Sequence, residues 1–322
     1  MKKLILYLAV LATLMGGYFI VDGFLFDGIR AEEVKEDGFY GRYYSDHPSQ
    51  PVPAVILIGG GHWGDYWASE FAKQGYVGLS LPYTREEGLP QLPEEIPLEY
   101  FAQAINWLKT QEDVDPDHVL VMGASKNSEI ALSVASLYPQ LVGGAIAYAP
   151  SSVSWSNTVL PFNSPELKPS LTFRGEDVPY LTMERVQGNE GNKIDTYAYW
   201  NAGLEKDSMN LAAIKVEQIN GPVLLLSGKA DEVWPSSKMA DQIEIRLKTN
   251  SFAFPFYNLQ YEGAGHLIST NPDAENDVDN RSGTMVIDGK TYKYDFGGSK
   301  EADILAKKEA KIKVFEFLEE LR

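Results

Sequence analysis

The 322-residue sequence predicts an α/β fold with a mostly parallel central sheet and helices on both faces. Three observations predict it. Short apolar runs without alternation recur at Ala54–Ile58, Val77–Leu81, Val119–Met122, Gly143–Tyr148 and Val223–Leu226, as strands buried on both faces require. Stretches with helical spacing lie between them, such as Leu98, Phe101, Ile105 and Leu108 after Pro97. The two patterns alternate along the chain, which implies parallel strands joined by helical crossovers.

The N-terminus comes first. Lys2 and Lys3 precede Leu4–Val21, a run without a charged residue. A hydrophobic stretch of about 18 residues can span a bilayer as a helix. No small-residue cleavage site is visible before Asp22, so residues 1–27 are expected to be an uncleaved signal anchor. The lysines would stay inside, putting the domain that follows (residues 28–322) outside the cytoplasm. A cleaved signal peptide and a secreted protein are the alternative.

Ile29–Val34 and Phe39–Tyr44 read as a hairpin around Lys35-Glu36-Asp37-Gly38, and Ser45–Pro53 as a connection. The strand Ala54–Ile58 ends in Gly59-Gly60-Gly61-His62-Trp63-Gly64. Gly59, Gly61 and Gly64 also fit a dinucleotide-binding spacing, but the next strand ends in Pro82-Tyr83-Thr84 instead of the acidic residue that reading needs. Asp65–Gln74 reads as a helix, Gly88–Pro97 as a loop, Pro97–Lys109 as an amphipathic helix and Asp113–His118 as a turn.

Val119–Tyr138 is the organising stretch: a buried strand, the turn Gly123-Ala124-Ser125-Lys126-Asn127, then a helix with Ile130, Ala131, Val134, Ala135 and Tyr138 on one face. This turn resembles the nucleophile elbow of an α/β-hydrolase, which lifts a serine above the sheet. The usual pattern is G-x-S-x-G, and Asn127 stands at its last position.

Ala149–Ala213 breaks the alternation and is rich in Ser, Asn, Pro and aromatic residues. An insertion at about 150–213 is where hydrolases carry a cap over the site, and a long loop without function is unusual. Val223–Leu226 then leads to Asp231, a helix is expected at Ser236–Lys248, and Phe252–Leu259 is the last strand of the alternation. The polar loop Ser269–Ser282 carries Asp273, Asp277 and Asp279 without calcium-loop spacing. Thr284–Phe296 reads as a hairpin around Asp288-Gly289, and Glu301–Leu321 as a final helix.

A serine needs a base, and the base needs an orienting acid. In this superfamily they follow in the order Ser, acid, His. Of His47, His62, His118 and His266, only His266 follows the last strand in a glycine-rich loop at the carboxyl edge. Asp231 follows the preceding strand by a short turn, with Glu232 as its neighbouring rival. The expected triad is Ser125, Asp231 and His266. The expected oxyanion donors are the backbone N–H groups of Lys126 and of Gly60 or Gly61, with the Lys126 side chain simply solvated.

The segments IPLEYFAQAINWLKTQEDVDPDHV, ASKNSEIALSVASLYP, INGPVLLLSGKADEVWPSSKMADQI, GAGHLI and FGGSKEADILAKKEAKIKVFEFL together resemble the C-terminal catalytic domain of the acyl-CoA thioesterase / bile-acid-CoA:amino-acid N-acyltransferase family. The resemblance runs from about Pro51 to the end of the chain. It implies the α/β-hydrolase fold and cleavage of an acyl thioester through an acyl-enzyme on Ser125. A serine, where the amino-acid acyltransferases carry cysteine, leans toward hydrolysis. The alternatives are acyl transfer to an amine, a peptidase, and a non-catalytic membrane-tethered binding protein.

Composition narrows the partners. A formal charge of −17 argues against nucleic-acid binding. The absence of cysteine excludes disulfides, a thiolate metal site and a cysteine nucleophile. No metal or organic cofactor is expected. The expected partners are a small acyl ester or thioester, and a membrane through residues 4–21.

Overall fold

The computed structural model describes residues 2–26, 29–36, 38–157, 166–184, 191–207, 209–287 and 289–321. Its centre is an eight-stranded sheet. The strands are β1 (Glu32–Glu36), β2 (Phe39–Tyr44), β3 (Val52–Ile58), β4 (Val77–Leu81), β5 (Val114–Ala124), β6 (Ala145–Tyr148), β7 (Val223–Gly228) and β8 (Phe256–Tyr261), in the spatial order β1-β2-β4-β3-β5-β6-β7-β8. The β1–β2 and β2–β4 pairs are antiparallel. From β4 to β8 every pairing is parallel.

The apolar runs do not alternate because both faces of the sheet are covered. Ile56, Val121, Ala147 and Leu225 point into one core with α3 (Leu98–Leu108), α4 (Lys126–Leu137) and α6 (Ser236–Thr249). Their neighbours Leu57, Leu120, Ile146 and Leu224 point into the other, under α2 (Gly61–Lys73) and α7 (Lys300–Glu319). Successive residues of one strand thus feed opposite layers, which is the period-two geometry of a strand. Trp67 of α2 is fully buried between Phe71 and Tyr148, ring centroids 5.5 and 6.0 Å away.

One departure from the sequence reading has a clear cause. The turn expected over Asp113–His118 is part of β5. Val52 pairs with Val114 and Ala54 with Val119, so the extra residues bulge out of a continuing strand. The hairpins match expectation more closely: β1 pairs with β2 from Glu32↔Tyr43 to Glu36↔Phe39, and Ser282–Ile287 pairs with Lys290–Asp295. Asp37 and Asp288 of their turns lie outside the described residues.

α1 (Lys2–Phe26) is a 25-residue helix. Its described apolar side chains are exposed, among them Tyr7, Leu14, Phe19 and Ile20. The expectation was a membrane-spanning helix. Among the described residues, no helix is long and apolar enough to cross a membrane; the side chains of Leu4, Leu6 and Ala9, which the eighteen-residue run needs, lie outside them.

The insertion after β6 has structure of its own. Leu171–Phe173 pairs in parallel with Ile96–Pro97 and antiparallel with Glu176–Asp177. α5 (Thr196–Glu205) is capped by Asp195, whose carboxylate accepts from the Ala198 N–H. Val153, Trp155, Trp200 and Leu204 of the insertion form one small core with Trp234 and Met239.

Candidate active site

β5 ends at Ala124 and α4 begins at Lys126, leaving one residue, Ser125, to make the turn. Ser125 does so at φ 55° and ψ −126°, a region that L-residues with a side chain rarely enter. The elbow is held on both sides: the Ser125 N–H donates to Tyr148 O (2.9 Å), and Ser128 N–H donates to Ser125 O (2.8 Å). Gly123 is required here, because a Cβ on it would lie 2.2 Å from Asn127 O of the returning helix.

The three residues expected to form a triad come together at the carboxyl ends of β5, β7 and β8. Ser125 Oγ–H donates to His266 Nε2 at 3.0 Å, and His266 Nδ1–H donates to Asp231 Oδ2 at 2.8 Å. A carboxylate can only accept, so it sets the tautomer with the proton on Nδ1 and leaves Nε2 as the acceptor facing the serine. Asp231 is itself fixed. Its Oδ1 accepts from the Val233 and Trp234 N–H groups (2.9 and 3.2 Å), and its Oδ2 also accepts from Ser236 Oγ (2.7 Å). Asp231 and His266 are 6% and 8% exposed, which leaves little water to compete for these bonds. Glu232, the rival acid, is exposed.

The other histidines are not part of this hydrogen-bonded chain. His47 stands 3.6 Å from Asp113, His118 pairs with Asp115 at 2.7 Å, and His62 is exposed at the start of α2. The His266 loop is tied to the end of the chain. Its N–H donates to Phe296 O (2.8 Å), and the Gly265 N–H donates to the buried Asp303 (2.7 Å), which also pairs with Arg281 (2.7 Å).

The expected oxyanion donors divide. Lys126 is the first residue of α4, where an N–H has no intrahelical acceptor. The Gly60 N–H is directed at Leu57 O (3.3 Å), whereas Gly61 opens α2. As the first residue of that helix, Gly61 has an N–H without an intrahelical acceptor.

The Lys126 side chain corrects the sequence reading. It is not solvated. Its ammonium pairs with Glu129 Oε2 (2.7 Å) and donates to Trp155 O and Ser156 O (both 3.2 Å). Glu129 is fully buried, and its Oε1 accepts from Ser154 Oγ and the Trp155 N–H, both at 2.9 Å. Burial pushes the Lys126 pKa down and the Glu129 pKa up, each opposed by the partner's charge. The pair fastens the insertion to the elbow helix. Its sequence signal is the i,i+3 spacing on α4, but the backbone acceptors that justify its burial are remote. Ser236 and Trp234 were also missed; the Trp234 ring stands edge-on to His266, centroids 6.2 Å apart.

Asn127 is accommodated. Tyr83 Oη donates to its Oδ1 at 2.7 Å, and the side chain lies over Gly59. Two cavities, of about 380 and 330 Å³, open beside the insertion against α6 and α4; neither is lined by Ser125, Asp231 or His266. Two carboxylates of the polar loop after β8 are engaged by lysines, Asp273 with Lys311 (2.7 Å) and Asp279 with Lys300. Among the described residues, no group of three or more His, Asp or Glu is arranged to hold a metal ion.

Residues 96–321 match the family described as BAAT / Acyl-CoA thioester hydrolase C terminal. Acyl-coenzyme A amino acid N-acyltransferase 2 of Mus musculus is 27% identical over 249 residues, covering 76% of this chain and 56% of that protein. Acyl-coenzyme A thioesterase 1 of Mus musculus is 28% identical over 250 residues, covering 76% and 55%. The chain thus spans about half the length of the curated relatives it matches. Among solved structures, a dienelactone hydrolase-like promiscuous phosphotriesterase, P91 from metagenomic libraries, superposes with TM-score 0.52 at 12% identity, over 91% of this chain and 98% of that one. That likeness is one of fold, an α/β-hydrolase architecture.

Proposed function

The chain belongs to the BAAT / acyl-CoA thioester hydrolase C-terminal family, and from that premise we propose that it is a serine hydrolase cleaving an acyl thioester or ester through an acyl-enzyme on Ser125. The observation that carries this reading is the continuous hydrogen-bonded chain Ser125–His266–Asp231, each member at the end of a different strand.

The proposed chemistry follows from the geometry. Ser125 Oγ attacks the acyl carbonyl as its proton passes to His266 Nε2. Asp231 Oδ2 stabilises the imidazolium through Nδ1–H and does not take the proton. The tetrahedral oxyanion is stabilised by the N–H groups of Lys126 and Gly61; one such donor is worth about 3–4 kcal/mol in the transition state. The imidazolium then protonates the leaving group. Water, deprotonated by the same His266, releases the acid and restores Ser125.

Residues 150–213 act in this reading as a cap. The support is the row of rings Trp155, Trp200 and Trp234, centroids 4.7 and 5.7 Å apart, that ends beside His266. Acyl transfer to an amine is the second reading. The names of two relatives, an acyl-CoA amino acid N-acyltransferase and a bile acid-CoA:amino acid N-acyltransferase of Mus musculus, favour weighing it. It shares the acyl-enzyme and differs in what attacks it.

We also infer that α1 anchors the protein in a membrane, with the catalytic domain on the outer face. The support is the uncharged run Leu4–Val21 behind two lysines. Retention in the membrane fraction after a carbonate wash, lost when residues 2–26 are removed, is the result this reading expects.

Turnover of p-nitrophenyl esters and acyl thioesters by wild type, with Ser125→Ala alongside, tests the main proposal. Wild-type turnover that falls by several orders of magnitude in Ser125→Ala supports it, and an added amino acid that diverts the acyl group to an amide supports the second reading. Equal activity of the two proteins contradicts both.

A further inference from the structure

On α7, Lys300, Asp303, Lys307 and Lys311 stand at i, i+3, i+7 and i+11, a spacing that puts them on one face of the helix. That face grips the polar loop that follows β8. Lys300 pairs with Asp279, Lys307 Nζ donates to Ala274 O (3.0 Å), and Lys311 pairs with Asp273 (2.7 Å). Asp303 is the acid of the four. It pairs with Arg281 at the end of the loop (2.7 Å), and this contact reaches the site.

Asp303 is fully buried, and a buried carboxylate is costly unless it is compensated. The compensation comes from three sides. The carboxylate sits near the N-terminal end of α7, which favours negative charge. Arg281 Nη1 donates to its Oδ2. Its Oδ1 accepts from the N–H of Gly265, the residue immediately before His266 (2.7 Å). The other arm of the guanidinium, Arg281 Nη2, donates to Gly297 O. Gly297 in turn forms a backbone bridge with Asp231. One ion pair therefore touches the backbone beside the histidine and the backbone paired with its acid.

The segments it joins are packed backbone against backbone. A Cβ on Gly265 would lie 2.3 Å from Gly297 O, and one on Gly297 would lie 1.9 Å from Ala230 O. Hydrogen bonds complete the contact: Ala230 N–H donates to Ala264 O (2.9 Å), His266 N–H to Phe296 O (2.8 Å) and Ser299 N–H to Gly263 O (2.9 Å). We propose that Asp303 and Arg281 are positioning residues, which hold the His266 and Asp231 loops at the separation the triad needs. The inference rests on the serine-hydrolase reading above and deepens it.

The need is strict because His266 must meet two partners at once, Ser125 Oγ at 3.0 Å and Asp231 Oδ2 at 2.8 Å. A misplacement of about 1 Å caused from a distance costs about 100-fold in rate. Asp303→Asn keeps the shape of the side chain and removes its charge. Arg281→Met leaves the Asp303 carboxylate buried without its counter-charge and frees Gly297 O. Either change loosens both loops, while Ser125, the elbow and the insertion keep their own bonds.

The test uses the full chain in neutral detergent with a p-nitrophenyl ester. Asp303→Asn, Arg281→Met, Arg281→Lys and the Asp303→Asn/Arg281→Met double variant are compared with wild type and Ser125→Ala. Glu217→Gln, which breaks the Arg246 pair instead, is the stability control, and it is expected to keep the wild-type kcat. Asp303→Asn and Arg281→Met are each expected to lower kcat by about 10- to 100-fold. KM should stay within about twofold, because no contact with substrate is removed. Arg281→Lys, which keeps a charge toward Asp303, is expected to restore part of the rate. The double variant should be no slower than the slower single, since both residues act through one contact. Should Asp303→Asn fail to fold, the part-exposed Arg281 carries the test through Arg281→Met and Arg281→Lys. Ser125-dependent turnover with wild-type kcat in a folded Asp303→Asn or Arg281→Met protein, or a loss confined to KM or to the unfolding midpoint, overturns the positioning role and leaves the serine-hydrolase reading intact. No turnover by wild type, or turnover undiminished in Ser125→Ala, overturns the serine-hydrolase reading and this inference with it.

Discussion

The side chain of Asn127 fills the space that a Cβ on Gly59 would need: its Nδ2 lies 2.2 Å from that position and its Cγ 2.7 Å. The elbow glycine of the common pattern has been exchanged for a larger residue, and a glycine on the neighbouring strand turn makes the room. Tyr83 then holds the amide at 2.7 Å.

This pairing predicts a non-additive mutant cycle. Gly59→Ala meets both Asn127 and an unfavourable φ of +102°, which alone costs about 1–3 kcal/mol. Asn127→Gly gives up one hydrogen bond, worth about 1 kcal/mol. The double variant is expected to be more stable than the sum of the singles implies, because the steric part of the Gly59→Ala cost disappears. Urea unfolding of the four proteins measures the difference.

Asp231 and Glu232 are separable by function. Asp231→Asn keeps the shape but lets the side chain present its NH₂ to His266, favouring the wrong tautomer, and kcat is expected to fall by about 10⁴ with folding retained. Glu232→Gln is expected to leave kcat for a neutral ester unchanged. Steady-state kinetics with circular dichroism reads both; a larger kcat loss in Glu232→Gln would reverse the assignment of the acid.

The Lys126–Glu129 pair is buried, so breaking it costs more than removing it. Glu129→Gln leaves the Lys126 ammonium without its counter-charge, and a loss of about 3–5 kcal/mol is expected. Lys126→Met with Glu129→Leu is expected to recover much of that loss in urea unfolding. Equal loss in the single and double variants would show that the pair's hydrogen bonds to Trp155 and Ser156, rather than charge compensation, carry the stability.

The Arg246–Glu217 pair sets an acid-limb prediction. Burial opposes ionisation of Glu217, but its hydrogen bonds and the Arg246 charge outweigh that and hold its pKa below the usual carboxylate value of 4.5. A depressed folded-state pKa gives stability that is present above the unfolded value and lost as pH falls through the folded one. The stability of wild type is therefore expected to drop below about pH 4.5 more steeply than that of Glu217→Gln, as thermal melts across pH 3–6 would record.

The sheet and the triad candidates were legible in the sequence for a shared reason. Strands such as Val223–Leu226 are buried on both faces, so their apolar runs are unbroken, and Ser125, Asp231 and His266 each follow one strand of the sheet. The features that were not legible depend on partners far along the chain. Lys126 reads as a surface lysine until Trp155 O and Ser156 O are seen around it. Asp115, Pro116 and Asp117 spell a turn, yet the flanking pairs Val52↔Val114 and Ala54↔Val119 carry the strand past them. Strands of two or three residues, such as Leu171–Phe173 in the insertion, are too short to show a period.

The most direct measurement is covalent trapping. Wild-type protein is treated with a fluorophosphonate, digested and mapped by mass spectrometry. The account predicts one adduct on Ser125, absent in Ser125→Ala and formed far more slowly in His266→Ala. Folded wild-type protein that stays unlabelled, or carries its adduct on another residue, would contradict it.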